Sequence, residues 1–439
     1  MKLHKRLAGI LTGLACISLL ASCTPNAGGT HPVAITDAGN ASNLFDPPVQ
    51  NAAGWEVTTH EEVIPARILC RMSGVGNYLI TTKSKPEDTS SITPDSATTL
   101  ASLNPQDGSV RWARKITPEM RTNYVTSYTS AKSTTPQDSF LDFQECAGTS
   151  FVSNERYLAF YLRPWMASEG SSNISDQRMN IVVLDAETGN EVRTVEVSGL
   201  VLGQAIVNDS LVVETAQNYY PAGTGVINAF SLSKAQAEPT SFRSDQWLIG
   251  ASPESLLMSQ ELPSRDSYDA LWPYTITKVN TTGEELGTVI GVRALHPGGW
   301  VDRFKDPEAA AEIANSQGDA SERTKALEAL QHELFHVDTG TTLDAANLLV
   351  ADVVLPTGSG ILLYTQRTES EEEKTVIYPT PVSWLDTTNG RNSLSQEKTT
   401  QILHHASQHV WNDGFFPSLT TLTPGVEAPP GSLPLPKEQ

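Results

Sequence analysis

One short pattern recurs along the chain and limits its fold more than any other feature. An apolar run ends in Asn or Asp, a few polar residues follow, and Gly closes a turn from which a second run departs. Leu103-Asn104-Pro105-Gln106-Asp107-Gly108 is one copy and Leu184-Asp185-Ala186-Glu187-Thr188-Gly189 another. Leu385-Asp386-Thr387-Thr388-Asn389-Gly390 is a third, and Val279-Asn280-Thr281-Thr282-Gly283 is one residue shorter. Degenerate copies lie at Leu232-Ser233-Lys234 and at Val337-Asp338-Thr339-Gly340. The Asn or Asp side chain caps the turn and Gly supplies positive φ, so each copy reads as a β-hairpin.

Successive turn centres are 81, then about 46, 48, 57 and 50 residues apart. A period near 50 with two hairpins per unit is the signature of a β-propeller. The expectation is therefore an all-β chain, a propeller of six to eight blades with seven the central value, over residues 51–423. The long first interval contains the polar segment 117–142, read either as a loop insertion or as a blade with its turn eroded. Composition agrees. With 39% apolar residues the chain is too apolar for disorder, and its 30 Gly and 27 Pro punctuate it too often for a helical bundle.

The copy Ser102-x-Asn104-x-x-x-Gly108-x-x-x-Trp112 resembles the docking repeat of pyrroloquinoline-quinone-like propellers. The resemblance implies that Trp112 packs between neighbouring blades while Asn104 and Gly108 make the turn. Arg193 and Leu394 stand where later copies would carry the Trp. Neither an adjacent-cysteine pair nor an assignable calcium carboxylate set is present, so the resemblance implies the blades and not the quinone. Its nearer members are non-enzymatic repeat lipoproteins, including one that assists outer-membrane protein assembly.

The N-terminus has a different character. Lys2, Lys5 and Arg6 precede a largely apolar run, Leu7 to Leu20, that is short for a bilayer-spanning helix and suits a signal peptide. Leu20-Ala21-Ser22-Cys23 resembles the lipobox of bacterial lipoproteins. The resemblance implies that residues 1–22 are removed and that Cys23 is acylated. The competing reading is an ordinary secretory signal cut near Ser22. Residues 23–50 are expected to be a flexible tether and 424–439 a Pro-rich disordered tail. Cys70 and Cys146 remain as an even pair outside the cytoplasm, read as a disulfide or as two buried thiols.

His332-Glu333-Leu334-Phe335-His336 matches the HExxH pattern, in which two histidines one helical turn apart bind zinc and the glutamate activates water. Residues 305–331 before it read as a helical insertion, with Asp306-Pro307 starting one helix and Ser321 capping a second. The same residues also fit the propeller unit as a strand leading into Asp338 and Gly340. In a strand the two histidines would lie roughly 13 Å apart and could not share a zinc. Helix and strand both remain open at this stage.

The expected function follows. The acyl chains of Cys23 would fix the chain in the lipid bilayer at the extracytoplasmic face of the cell membrane. The propeller would act as a binding, scaffold or assembly module for another envelope protein or a cell-wall component. Removing the three basic residues of the signal takes the formal charge from −20 to −23, which argues against nucleic acid. No cofactor is expected. The alternative is an extracytoplasmic enzyme, either a zinc hydrolase using His332, Glu333 and His336 or a quinoprotein.

Overall fold

A computed structural model describes residues 33–39, 45–51, 54–58, 67–71, 78–83, 98–104, 107–119, 123, 141–142, 156–162, 164–217, 225–234, 236–260, 272–355, 358–371, 374–387, 390, 392 and 418–420. For residues 50–98, 118, 141–142, 352–359, 366–379 and 418–420 it describes the backbone alone. No helix among the described residues is long and apolar enough to cross a membrane.

The described chain is a succession of antiparallel meanders. The first comprises Arg67–Arg71, Tyr78–Lys83, Thr98–Leu103 and Val110–Pro118. The second comprises Leu141–Asp142, Tyr157–Leu162, Gln177–Asp185 and Glu191–Ser198. The third is Leu200–Val207, Ser210–Ala216, Val226–Ser231 and Thr240–Arg243. Trp247–Ala251, Leu256–Ser259 and Tyr274–Val279 form the fourth with the first part of Glu285–His296. The rest of that long strand opens the fifth, with Trp300–Phe304, His332–His336 and Thr342–Asp344. The sixth is Leu349–Leu355, Gly358–Glu371 and Lys374–Asp386. A small sheet joins distant parts of the chain: Gly54–Thr58 pairs with both Val49–Asn51 and Ser418–Thr420.

Strand alternation explains why so many of these runs are continuously apolar. Leu158, Phe160 and Leu162 face Leu100, Trp112 and Ile116 of the first meander. Tyr157, Ala159 and Tyr161 point the other way, onto Val201, Ile206 and Leu211 of the third. Val212 then turns toward Leu256 and Met258 of the fourth, while Leu257 faces Val301 of the fifth. Ile361 and Leu363 of the sixth meet Trp300 and Leu334. Each inner meander is thus buried on both faces, so successive residues go to different neighbours. Face-to-face packing of four-stranded meanders in chain order is the architecture of a β-propeller.

The first and second turns, whose centres are 81 residues apart, belong to consecutive meanders, joined by the connection 119–140. Part of the stretch expected as a tether, 23–50, is strand. Val33–Asp37 adds a fifth strand to the first meander, pairing Val33 with Pro118 and Asp37 with Arg114. Val33 is buried in the core between the first two meanders, and Phe45 is buried as well. Val33 and Phe45 find a core, and that draws their neighbours out of the disordered state that the composition suggests.

The helical insertion consists of α1 (Pro307–Asn315) and α2 (Ala320–Glu328). Asp306 caps α1 by accepting from Ala309 N at 3.0 Å, with Pro307 in the first turn. The cap of α2 is Asp319, accepting from Ser321 N at 2.7 Å, rather than Ser321 itself. The carboxylate two residues earlier reaches the free N–H first, leaving Ser321 inside the helix.

Candidate functional site

In an antiparallel meander, successive connections lie at opposite ends. One end of each meander here carries the repeated Asn/Asp–Gly turns, and these turns touch one another from meander to meander. Trp112 donates from Nε1 to Ala186 O at 3.0 Å, and its ring lies so close to Gly189 that a Cβ there would sit 2.5 Å away. Arg114 continues the contact, donating to Thr188 O and Gly189 O. Arg193 does the same one meander on, donating to Ser231 O at 2.7 Å and Ala237 O at 3.0 Å. Phe242 of the third meander packs on Gly283 of the fourth, and Ser252 of the fourth donates to Asp338 of the fifth at 2.9 Å. Gly298 of the fifth lies against Thr387 of the sixth. Docking is conserved in position while its chemistry changes from Trp to Arg to Phe to Ser.

Within the turns, Gly108 N donates to Asn104 O, Gly189 N to Asp185 O, Gly283 N to Asn280 O and Gly390 N to Asp386 O. Asp185 Oδ1 also accepts from Thr188 N at 2.8 Å, and Asn280 Oδ1 accepts from Thr282 N at 2.9 Å. The turn of the fifth meander departs from the expected register. Gly340 N donates to His336 O, four residues back, so His336 and not Asp338 leads the turn. Its Nδ1 accepts from Thr339 N at 3.2 Å, which is the part a carboxylate plays at Asp185. Asp338 is thereby released to reach Ser252 and Ser255 of the neighbouring meander.

At this end Tyr157 and Arg156 also bridge to the third meander, both donating to Asp209 Oδ1, at 2.9 and 2.8 Å. Burial, with the Asp209 carboxylate beside it, pushes the Tyr157 hydroxyl up to about 12.

The opposite end is built differently. The connections 84–97, 119–140, 163–176, 217–225, 260–273 and 305–331 all leave from it, and residues 365–371 and 374–380 extend the sixth meander there as a two-stranded ribbon. Long connections on one side of a rigid scaffold are where binding surfaces are made. This long-connection face is the candidate functional site.

Its described floor lies in the fifth meander. Asp302 takes His332 Nδ1 at 2.8 Å on one carboxylate oxygen and Arg293 Nη1 at 3.2 Å on the other. All three side chains are largely buried, and Arg293 also lies over the Phe304 ring at 5.1 Å. Tyr274 is buried nearby. Burial raises its hydroxyl well above the tyrosine range, and the Asp302 charge adds to that. Above this cluster, Phe304 packs against Ala310 of α1 and Leu327 of α2, and Pro307 fits against Gly291. Arg323 of α2 stacks over Trp272 at 4.8 Å, fastening the helices to the fourth meander. Hence α1 and α2 are held on two meanders at once, with Glu308, Glu312 and Glu322 exposed.

The HExxH residues are a strand. Extended backbone places His332 and His336 roughly 13 Å apart along the strand, beyond the reach of one zinc ion. Glu333 accepts from Arg303 Nε and Nη2 at 2.9 and 2.7 Å, so it is committed to a cross-strand ion pair. Among the described residues, no group of three His, Cys, Asp or Glu gathers as metal ligands do. Cys23 and Cys146 lie outside the described residues; Cys70 is in a strand of the first meander, paired with Leu79. Sequence reasoning missed Arg293 and Asp302. Their signal is charge inside apolar strands, as in Trp300-Val301-Asp302-Arg303-Phe304, where a buried charge demands a partner.

No family model matches the chain, and no curated protein matches it. Among solved structures it is similar to the β-propeller domain of the Trilobed protease from Pyrococcus furiosus, at 10% identity and TM-score 0.31, covering 80% of this chain and 84% of that one. It is also similar to an uncharacterized protein of Listeria monocytogenes, at 10% identity and TM-score 0.32, with 80% and 82% covered. BamB from Moraxella catarrhalis matches at 10% identity and TM-score 0.25, with 79% and 77% covered.

Proposed function

We propose that the chain is a lipid-anchored β-propeller at the extracytoplasmic face of the cell membrane that binds another envelope protein through its long-connection face. The single observation behind this reading is the asymmetry of the two ends. One carries turns that dock on one another, and the other carries most of the long connections and a helical insertion fixed on two meanders, the connection 143–156 being the long one at the turn end. The lipobox-like Leu20-Ala21-Ser22-Cys23 supports the anchor, and an acidic exported domain suits a protein partner better than nucleic acid. The role is one of binding or assembly, with the buried Arg293, Asp302 and His332 serving as foundation.

Photo-crosslinking in intact cells tests the reading. A crosslinking residue in place of exposed Glu322, on α2, is expected to capture a discrete protein. The same residue in place of exposed Glu187, in the turn of the second meander, is expected to capture none above background. Capture from Glu187 alone would reject the assignment of the binding face. Acyl labelling is expected to be lost in Cys23→Ala, with the folded domain released; labelling that persists would reject the anchor.

A further inference from the structure

We infer that the chain closes on itself: a seventh meander, shared between its two ends, fills the flank between the sixth meander and the first. The observation behind it is the small sheet in which Gly54–Thr58 lies between Val49–Asn51 and Ser418–Thr420. Neither the binding face nor the membrane anchor enters into it.

Chain order says what that sheet is. Where one meander hands over to the next, its last strand leads into the first strand of its successor. Glu191–Ser198 leads into Leu200–Val207, Thr240–Arg243 into Trp247–Ala251 and Thr342–Asp344 into Leu349–Leu355. Gly54–Thr58 leads in the same way into Arg67–Arg71, the first strand of the first meander. It therefore holds the place of a last strand, in a meander that precedes the first. Elsewhere a last strand pairs with the strand before it in sequence, as Glu191–Ser198 does with Gln177–Asp185. Here that neighbour is Ser418–Thr420, which comes from beyond the sixth meander. The register is antiparallel, with Thr58 opposite Ser418, Val57 opposite Leu419 and Glu56 opposite Thr420. Val49–Asn51 adds a further strand outside Gly54–Thr58, as Val33–Asp37 does outside Val110–Pro118. A meander that both precedes the first and follows the sixth closes a ring.

The two flanks agree. In the first meander Leu100, Trp112 and Ile116 face the second, so strand alternation turns Ala101, Leu103 and Ala113 the other way; all three are buried. In the sixth meander Ile361, Leu363 and Leu385 face the fifth. Leu362 and Trp384, paired on the opposite face, are buried as well. Apolar faces shielded from water on both sides of one gap fit a single layer of sheet between them. The occupant of that gap is thus the chain's own two ends. A partner is left with an end of the propeller or its outer rim, and not with a flank between meanders.

The test uses the full chain with two added cysteines. Adjacent pairs in an antiparallel ladder alternate in hydrogen bonding and Cα spacing, so two pairs are made: Val57→Cys with Leu419→Cys, and Glu56→Cys with Thr420→Cys. In the folded chain at least one pair is expected to oxidise within a single molecule, identified by the mass of the linked peptides. The link is expected to raise the melting temperature by several degrees over the reduced form. Val57→Cys with Val426→Cys, far out of register, is expected to link several-fold less. Ending the chain after Thr423 is expected to leave the melting temperature unchanged, and ending it after Pro417 to lower it by several degrees. Neither in-register pair linking, or links that join two molecules, would overturn the inference. So would an equal yield from the Val426 pair, or unchanged melting when the chain ends at Pro417.

Discussion

The two ends of this propeller are made by opposite means. At the short-turn end a single local solution, an Asn, Asp or His acceptor followed by Gly, is repeated, and the turns at 185–189, 280–283 and 336–340 each receive a docking side chain from the preceding meander. At the other end the described helical connection, α1 with α2, is secured by Phe304 below and Trp272 beside it. Repetition suits a scaffold, because each interface must match the next. Variation suits recognition, because an end that does not have to dock on its neighbour is free to differ. The docked turns carry the fold, and the other end is the one proposed to meet a partner.

The sharpest way to break that contrast is to remove a docking side chain. Trp112→Ala empties a site that is 5% exposed and deletes the bond to Ala186, for an expected loss of about 3–5 kcal/mol in denaturant unfolding. Asp302→Ala, at the foundation of the long-connection face, leaves Arg293 without its ion pair and His332 without its acceptor. A comparable loss of about 3–5 kcal/mol is expected, and one below about 1 kcal/mol would mean that the buried cluster does not support the face. Gly189→Ala attacks the socket instead of the plug. Its φ of 67° and the Trp112 ring 2.5 Å from a new Cβ give an expected cost of about 3 kcal/mol. The smallest effect belongs to the turn led by histidine. His336→Asp restores the acceptor type used at Asp185 and should change stability by less than about 1 kcal/mol, whereas His336→Leu removes the acceptor for Thr339 N and should lose about 1 kcal/mol or more. Equal effects of the two would show that the turn does not depend on that bond.

Much of the short-turn end was legible from the residues, because local rules build it. An Asn or Asp three or four residues before Gly announces the turn, and Trp112 announced a docking contact that the ring makes on Gly189. Where reading failed, the cause was an unexpected acceptor or distance along the chain. Asp338 stands two residues before Gly340 and looked like the turn leader, yet Gly340 N reaches back to His336, whose imidazole replaces the carboxylate. Val33–Asp37 lies in a Pro-, Gly- and Asn-rich stretch, and its partner strand is some eighty residues away in sequence. Arg293, Asp302 and His332 likewise come together only across three strands, so no local pattern marks them. His332-Glu333-x-x-His336 shows the converse: a pattern with a known meaning on a helix, placed on a strand where its members pair with Asp302 and Arg303.

Hydrogen exchange on the membrane-anchored chain, with and without the other membrane proteins of the envelope, tests the division between the two ends most directly. Added protection is expected in α1, α2 and the neighbouring long connections, with the turns at 185–190, 280–284 and 336–340 unchanged because docking already shields them. Protection gained in those turns while 307–328 stays unchanged would contradict it.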